Sequence, residues 1–266
     1  MNIKIPNILF GVDGKKALDR ILAEKDEEPK PAVQPSDSKI IGTYDKIEAG
    51  TYPKALAALQ KMHKAGKCAS QPTFVLKDGF TVARPLTFSE TVRARVTDYN
   101  TLTDANGKKR SDGDRLALFE DCLDTSTGIA YKSGATLFKI LSPIEELMGL
   151  DAKFDDASVS VDYPNIKGGM EFDSDKGIYN QSLTKQQVID HPAWKASVND
   201  KALLKEYANL VFTLMNNPDD AMGFWVVRKP SEDNLMTLAL SGLDNNSYAL
   251  GSHNLDDIAR FVRVNP

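Results

Sequence analysis

The stretch TVRARVTDYNT, Thr91 to Thr101, sets Arg93 and Arg95 two residues apart, with Asp98 and Tyr99 close behind. Arginine forks bind anions, and an aspartate with a suitably shifted pKa can act as a base. On an extended strand residues i and i+2 share a face, so Arg93 and Arg95 could converge on one anion. This defines one functional alternative, an enzyme of an uncommon family with an arginine-lined anion site. The competing reading of the same residues is a pair of solvated strand arginines. The histidines, His63, His191 and His253, add no second site, because no two lie at metal-ligand spacing. The acidic loops DANG (Asp104 to Gly107) and DSDKG (Asp173 to Gly177) lack the glycine and terminal glutamate positions of an EF-hand. Asp244, Asn245 and Asn246 carry oxygen ligands, but turn formation accounts for them, since Asn and Asp tolerate left-handed backbone. Glu145–Glu146 and Asp219–Asp220 are adjacent and would point apart on a helix, whereas glycoside hydrolysis needs carboxylates facing across a cleft. Cys122 lies between Asp121 and Asp124, unlike the electropositive surroundings of reactive cysteines, which argues against a nucleophile. HExxH, Walker A, GxGxxG and GxSxG motifs are missing, so the expectation is no cofactor and no metal.

A second kind of chemistry sits at the C-terminal end, in LSGLDNNSYALGSHNLDDIARFVRV, Leu240 to Val264. Asn, Ser and Tyr offer both donors and acceptors on modest side chains. Tyrosine adds contact area at low entropy cost. Asn245, Asn246, Ser247, Tyr248, Ser252, His253 and Asn254 are therefore the expected ligand-binding residues, with a protein or other macromolecule as the partner. The leading functional reading is a non-enzymatic recognition or structural protein. The bland alternative is a set of hairpin turns with no partner.

These residues need a scaffold, and the composition supplies one. The chain has 266 residues, 41% hydrophobic and 26% charged, enough for a sizeable core in one large domain or two small ones. A formal net charge of -4 gives no general attraction to phosphate backbones. GKKR, Gly107 to Arg110, is a short local exception, so nucleic acid is not an expected partner. No apolar run is long enough to span a membrane. The start, MNIKIPNILFGVDGKK, lacks a long hydrophobic region and a cleavage site, so no signal peptide is expected. The expected location is the cytoplasm, or a phage or viral structure. Cys68 and Cys122 form no framework and read as free thiols, with one disulfide left open.

Along the chain, residues 1–38 read as an N-terminal arm and linker, ending in the proline-rich DEEPKPAVQPSDS, and 39–266 as an α+β domain. The expected architecture is a mainly antiparallel sheet with flanking helices. TYPKALAALQKMHKAGK from Thr51, SLTKQQVIDHPAW with Thr184 as cap, and KALLKEYANLVFTLMNN predict helices. GDRLALFEDCLD reads as another, and SPIEELMGL as a capped helical turn or two on Ser142 and Pro143. Asp78-Gly79 predicts a hairpin pairing Phe74–Leu76 with Phe80–Ala83, and TGIAYKSGATLFKIL predicts a second. ETVRARVTDYNTL reads as a half-buried strand by its Val92, Ala94, Val96 alternation. DDASVSVDY, GFWVVRK, LMTLAL, SYAL and ARFVRV are further strand candidates.

The grammar of Met222 to Val264, short apolar runs separated by Asn, Ser, Tyr and Asp turns, resembles the C-type lectin fold in its carbohydrate-independent variants. It is most similar to the variable proteins diversified by retroelement-directed mutagenesis. The resemblance implies a C-type lectin-like C-terminal part, with a ligand-binding surface close to the C-terminus. The chain departs from the pattern in three ways. Only Trp194 and Trp225 stand where the family often has a tryptophan-rich core, the calcium-binding EPN and WND motifs are missing, and the export signal of many relatives is not seen.

Overall fold

A computed structural model describes residues 44–48, 50–75, 81–142, 159–216, 218–219, 221–253 and 259–264. The arm-and-linker reading of 1–38, most of SPIEELMGL and the start of DDASVSVDY lie outside the described residues. Inside them the chain forms a mixed fold, an antiparallel sheet with flanking helices.

Strand β1 (Tyr44–Glu48) leads into helix α1 (Tyr52–Lys64), whose Pro53 suits a first turn. Thr51 stands at the N-cap position, although its side chain makes no cap hydrogen bond. Strand β2 (Thr73–Val75) pairs antiparallel with β3 (Thr81–Ala83), as the hairpin reading expects, while Leu76 to Phe80, with Asp78-Gly79, lie outside the described residues. Helix α2 (Phe88–Asn100) follows, then α3 (Asp112–Leu116), strands β4 (Gly128–Tyr131), β5 (Leu137–Leu141), β6 (Val159–Ser160), β7 (Met170–Asp173) and β8 (Ser182–Leu183). Helices α4 (Lys185–Asp190), α5 (Pro192–Val198) and α6 (Lys201–Leu214) come next. Strands β9 (Met222–Trp225), β10 (Asn234–Leu240), β11 (Ala249–His253) and β12 (Arg260–Val264) complete the order.

Two of these elements correct the sequence reading. The stretch read as a strand at Glu90 to Leu102 is helical as far as Asn100, in α2. Val92, Ala94 and Val96 fit a two-residue period, but Phe88, Val92 and Val96 also recur every four residues on one helical stripe, and all three are buried. A capping box decides between the two periods. Glu90 N donates to Thr87 Oγ1 at 3.2 Å, and Thr87 N donates to Glu90 Oε2 at 2.7 Å. The helix read over GDRLALFEDCLD is shorter than its pattern. It is α3 followed by a tight turn at Ala117–Phe119, after which Leu123 leaves to bridge Leu240.

The main sheet runs in the order β7-β5-β4-β10-β11-β9-β8, with β6 beside β10. Its pairs are antiparallel except β11 with β9, which run parallel. One face packs against α2, α4, α5 and α6 through Ile129, Phe138, Leu238 and Phe224 against Phe88, Trp194, Leu204 and Val211. On the other face Ala130, Leu141 and Leu235 meet Tyr52 and Leu59 of α1 and Phe261 of β12. A separate two-stranded ribbon, β1 antiparallel to β12, joins Tyr44 to Val264 and Glu48 to Arg260. The ribbon strand β12 is buried on both sides, Phe261 in one cluster and Val262 and Val264 in another.

Candidate functional site

Alternation along β9 and β11 creates a second, more open stretch of sheet surface. Met222, Phe224 and Ala249 point into the helical core. Successive side chains alternate, so Gly223, Trp225, Tyr248, Leu250 and Ser252 lie on the opposite side. Parallel pairing sets Leu250 beside Trp225. The Trp225 and Tyr248 rings lie 5.5 Å apart at 47°. Gly223 keeps the space between them open, because a Cβ there would sit 3.2 Å from both Trp225 Nε1 and Tyr248 Cδ1 and 2.7 Å from the Gln181 carbonyl oxygen. Tyr248 Oη bonds Ser182 Oγ at 3.2 Å and accepts from Asn246 Nδ2 at 2.9 Å. Trp225 and Leu250 are half-buried and Ser252 is exposed. The result is an aromatic and polar shelf at the β8-β9-β11 end of the sheet.

The turn that carries Asn246 and Tyr248 is closed by its own backbone. Ser241 N donates to Tyr248 O at 2.9 Å and Ser247 N to Gly242 O at 2.9 Å. Asn246 and Ser247 take positive φ, 56° and 43°, and Asn suits that region better than most residues. Gly242 is required by proximity rather than by φ, since a Cβ would lie 2.7 Å from the Phe119 carbonyl oxygen. Beneath the turn lies Arg95, with 0% of its surface exposed. Its Nε donates to Leu118 O at 2.9 Å. Nη1 donates to Ser241 O at 2.8 Å, Tyr207 Oη at 2.9 Å and Ser247 Oγ at 3.4 Å. Nη2 donates to Asp121 O at 3.0 Å and Leu240 O at 3.1 Å. The Tyr207 and Ser247 hydroxyls bond each other at 2.7 Å.

The expected ligand-binding residues therefore take different positions. Asn245 closes a tight turn at Leu243–Asn245, and Asn246 follows it, partly exposed. Ser247 is 0% exposed and Tyr248 7%, both turned towards protein partners. Ser252 faces solvent, His253 ends β11, and Asn254 lies outside the described residues. Trp225, Leu250, Gly223 and Ser182 share the shelf and were not singled out as binding residues. The alternation of MGFW and ALGS carried the signal that could have found Trp225 and Leu250.

Arg93 and Arg95 do not converge. Residues two apart on a helix project to nearly opposite sides. Arg93 reaches solvent and donates to Asp200 Oδ2 at 2.9 Å, while Arg95 points inward. Asp98 is engaged by Arg110 at 2.9 and 3.0 Å. Burial pushes its carboxyl pKa up, and Arg110 partly opposes this. The Tyr99 ring lies under the Arg115 guanidinium at 4.3 Å. Among the described residues no group of three or more His, Cys, Asp and Glu is placed to hold a metal ion. Cys68 and Cys122 are free thiols. No described helix is long and apolar enough to cross a membrane.

On the core side of β9, His191 stacks on Phe224 at 5.7 Å. Its Nε2 lies 2.8 Å from Ile178 O, and its Nδ1 accepts from Trp194 N at 3.4 Å as the N-cap of α5. These partners require the neutral ring with its hydrogen on Nε2. Burial lowers its pKa, with the bond to Ile178 O acting the other way.

No family model matches the chain, and no curated protein matches it. A solved structure does match, described as "Accommodation of massive sequence variation in Nanoarchaeota by the C-type lectin fold". The two superpose with a TM-score of 0.53 at 14% sequence identity, over 84% of this chain and 98% of that one. Identity that low carries the fold alone, and its coverage reaches well beyond Met222 to Val264. The chain, a mixed fold with an antiparallel sheet and flanking helices, is therefore similar in fold to that C-type lectin-fold structure.

Proposed function

We propose that the protein is a non-enzymatic recognition protein whose partner is a protein or another macromolecule. The binding surface is the shelf of Trp225, Asn246, Leu250 and Ser252, with Tyr248 at its border, and Asn245, His253 and Asn254 are the further residues proposed from the sequence to contact the partner. Residues 39–266 form the recognition domain, and 1–38 the arm and linker that attach it.

One observation supports this reading: the half-buried Trp225 ring lies 5.5 Å from the Tyr248 ring, beside a turn held from within by hydrogen bonds of Arg95, Tyr207 and Ser247. Rigid aromatic anchors beside adaptable Asn and Ser are how binding surfaces gain contact area without a large ordering cost. The enzyme alternative has less support, because Arg93 and Arg95 point apart and Asp98 is engaged by Arg110.

The test is retention of macromolecules from host extract on the immobilised full chain. The variants are Trp225→Ala combined with Leu250→Ser, and a control, Lys54→Ala combined with Lys61→Ala, on α1. A partner held by wild type and control but lost by the shelf variant, at unchanged melting temperature, supports the proposal. Equal retention by both variants, or no partner held by the wild type, counts against it.

A further inference from the structure

We infer that Arg95 is a positioning residue for the recognition surface, presetting the backbone of turn 241–248 from inside the core. The inference rests on the shelf being the binding surface, and it adds how that surface is held in one geometry.

Three features lead to it. First, the guanidinium joins segments far apart in sequence. It bonds Leu118 O and Asp121 O on one side and Leu240 O, Ser241 O and Ser247 Oγ on the other. The planar fork suits this, because its donors are fixed relative to one another. Second, the acceptors are carbonyl and hydroxyl oxygens, so the group supplies interior hydrogen bonds that an apolar side chain could not, although Leu240 O also accepts from Leu123 N at 2.9 Å. Burying a cation in this way is costly unless it is well hydrogen-bonded. Buried polar groups of this kind can specify one conformation where apolar packing would permit several. Third, the link passes through Tyr207 of α6 to Ser247, one residue from Tyr248, which contacts Trp225. Two scaffold helices, α2 and α6, thus hold the turn that carries the shelf.

The experiment needs no partner, so its failure is separable from failure of the recognition proposal. The full chain is labelled with 5-fluorotryptophan, giving one fluorine signal from Trp225 beside the turn and one from Trp194 in the helical core. Amide exchange is followed in parallel. Ser247→Ala with Tyr207→Phe removes the hydroxyl link while leaving the cation in place. We expect amides of 241–248 to exchange about tenfold faster, consistent with losing one or two net hydrogen bonds. The Trp225 signal should shift or broaden and the Trp194 signal should stay. Arg95→Lys keeps the charge but loses the fork, and should reproduce the same pattern. Unchanged exchange and an unchanged Trp225 signal in the Ser247/Tyr207 variant would overturn the inference. So would full wild-type behaviour of Arg95→Lys, or equal loosening of the turn and the Trp194 core.

Discussion

The molecule uses arginine in two opposite ways, and the contrast separates its two most constrained regions. Under turn 241–248, Arg95 is fully buried and bonds carbonyls and hydroxyls. Along the β1–β12 ribbon the arginines work at the surface. Arg260 Nε pairs with Glu48 Oε2 at 2.6 Å and lies 3.7 Å from Asp121 Oδ1, Arg263 pairs with Asp45, and Lys46 pairs with Asp121 and Glu120. Surface pairs are screened by salt and contribute little each. A buried fork bonded to fixed dipoles is insulated from the solvent ions. The ribbon is held mainly by Phe261, Val262 and Val264 beneath its charges, whereas the turn depends on directed bonds.

The largest expected effect is therefore at Arg95. Arg95→Leu removes five N–H donors' worth of bonds to buried carbonyl and hydroxyl oxygens, and should cost on the order of 3–5 kcal/mol. Urea unfolding at 50 mM and 500 mM salt checks this, and a loss that changes greatly with salt would break the contrast. Tyr207→Phe should cost about 1–2 kcal/mol by the same assay, again without salt dependence.

A third test uses protons instead of salt. The unfolded histidine titrates near about 6.5, and burial holds folded His191 below its ordinary value. As pH falls through 6.5 the unfolded chain takes up protons first, so stability is lost until the folded pKa is passed. His191→Asn keeps a capping side chain and removes the titration. Melting temperatures from pH 7.5 to 5 should fall more steeply in the wild type than in His191→Asn, and parallel curves would contradict this. The smallest effect belongs to the ribbon. Arg260→Ala should cost less than about 1 kcal/mol at low salt, and less again at 500 mM salt. A loss rivalling that of Arg95→Leu would erase the distinction.

Much of this scaffold was legible because its signals are local. Thr184 capping α4, the stripe Leu203, Leu204, Tyr207 and Val211 of α6, and Asp78-Gly79 between β2 and β3 each act within a few residues. Helix α2 was misread because Val-Arg-Ala-Arg-Val satisfies both periods, and only the reciprocal Thr87–Glu90 bonds separate them. The candidate surface was legible as composition but not as direction. Asn246, Ser247 and Tyr248 were recognisable as turn residues. That Ser247 faces Tyr207 depends on α6 lying beneath it, about forty residues away in sequence. Arg95 was noticed for the wrong reason, because a buried guanidinium and an anion clamp read alike until the strand becomes a helix.

The β1–β12 ribbon has a consequence for how the chain reaches its native state. Tyr44 pairs with Val264, so the ribbon closes a loop of about 220 residues. Loop entropy grows only logarithmically with length, so the separation is tolerable at equilibrium but slows the approach. Phe261, against which Tyr52 packs edge-on at 4.9 Å, is synthesised about 200 residues after it. Until then, β1 and the apolar side of α1 wait without their partner strand. The helical core can assemble before β12 is made, but the layer across the sheet from it can be completed only once β12 has been synthesised.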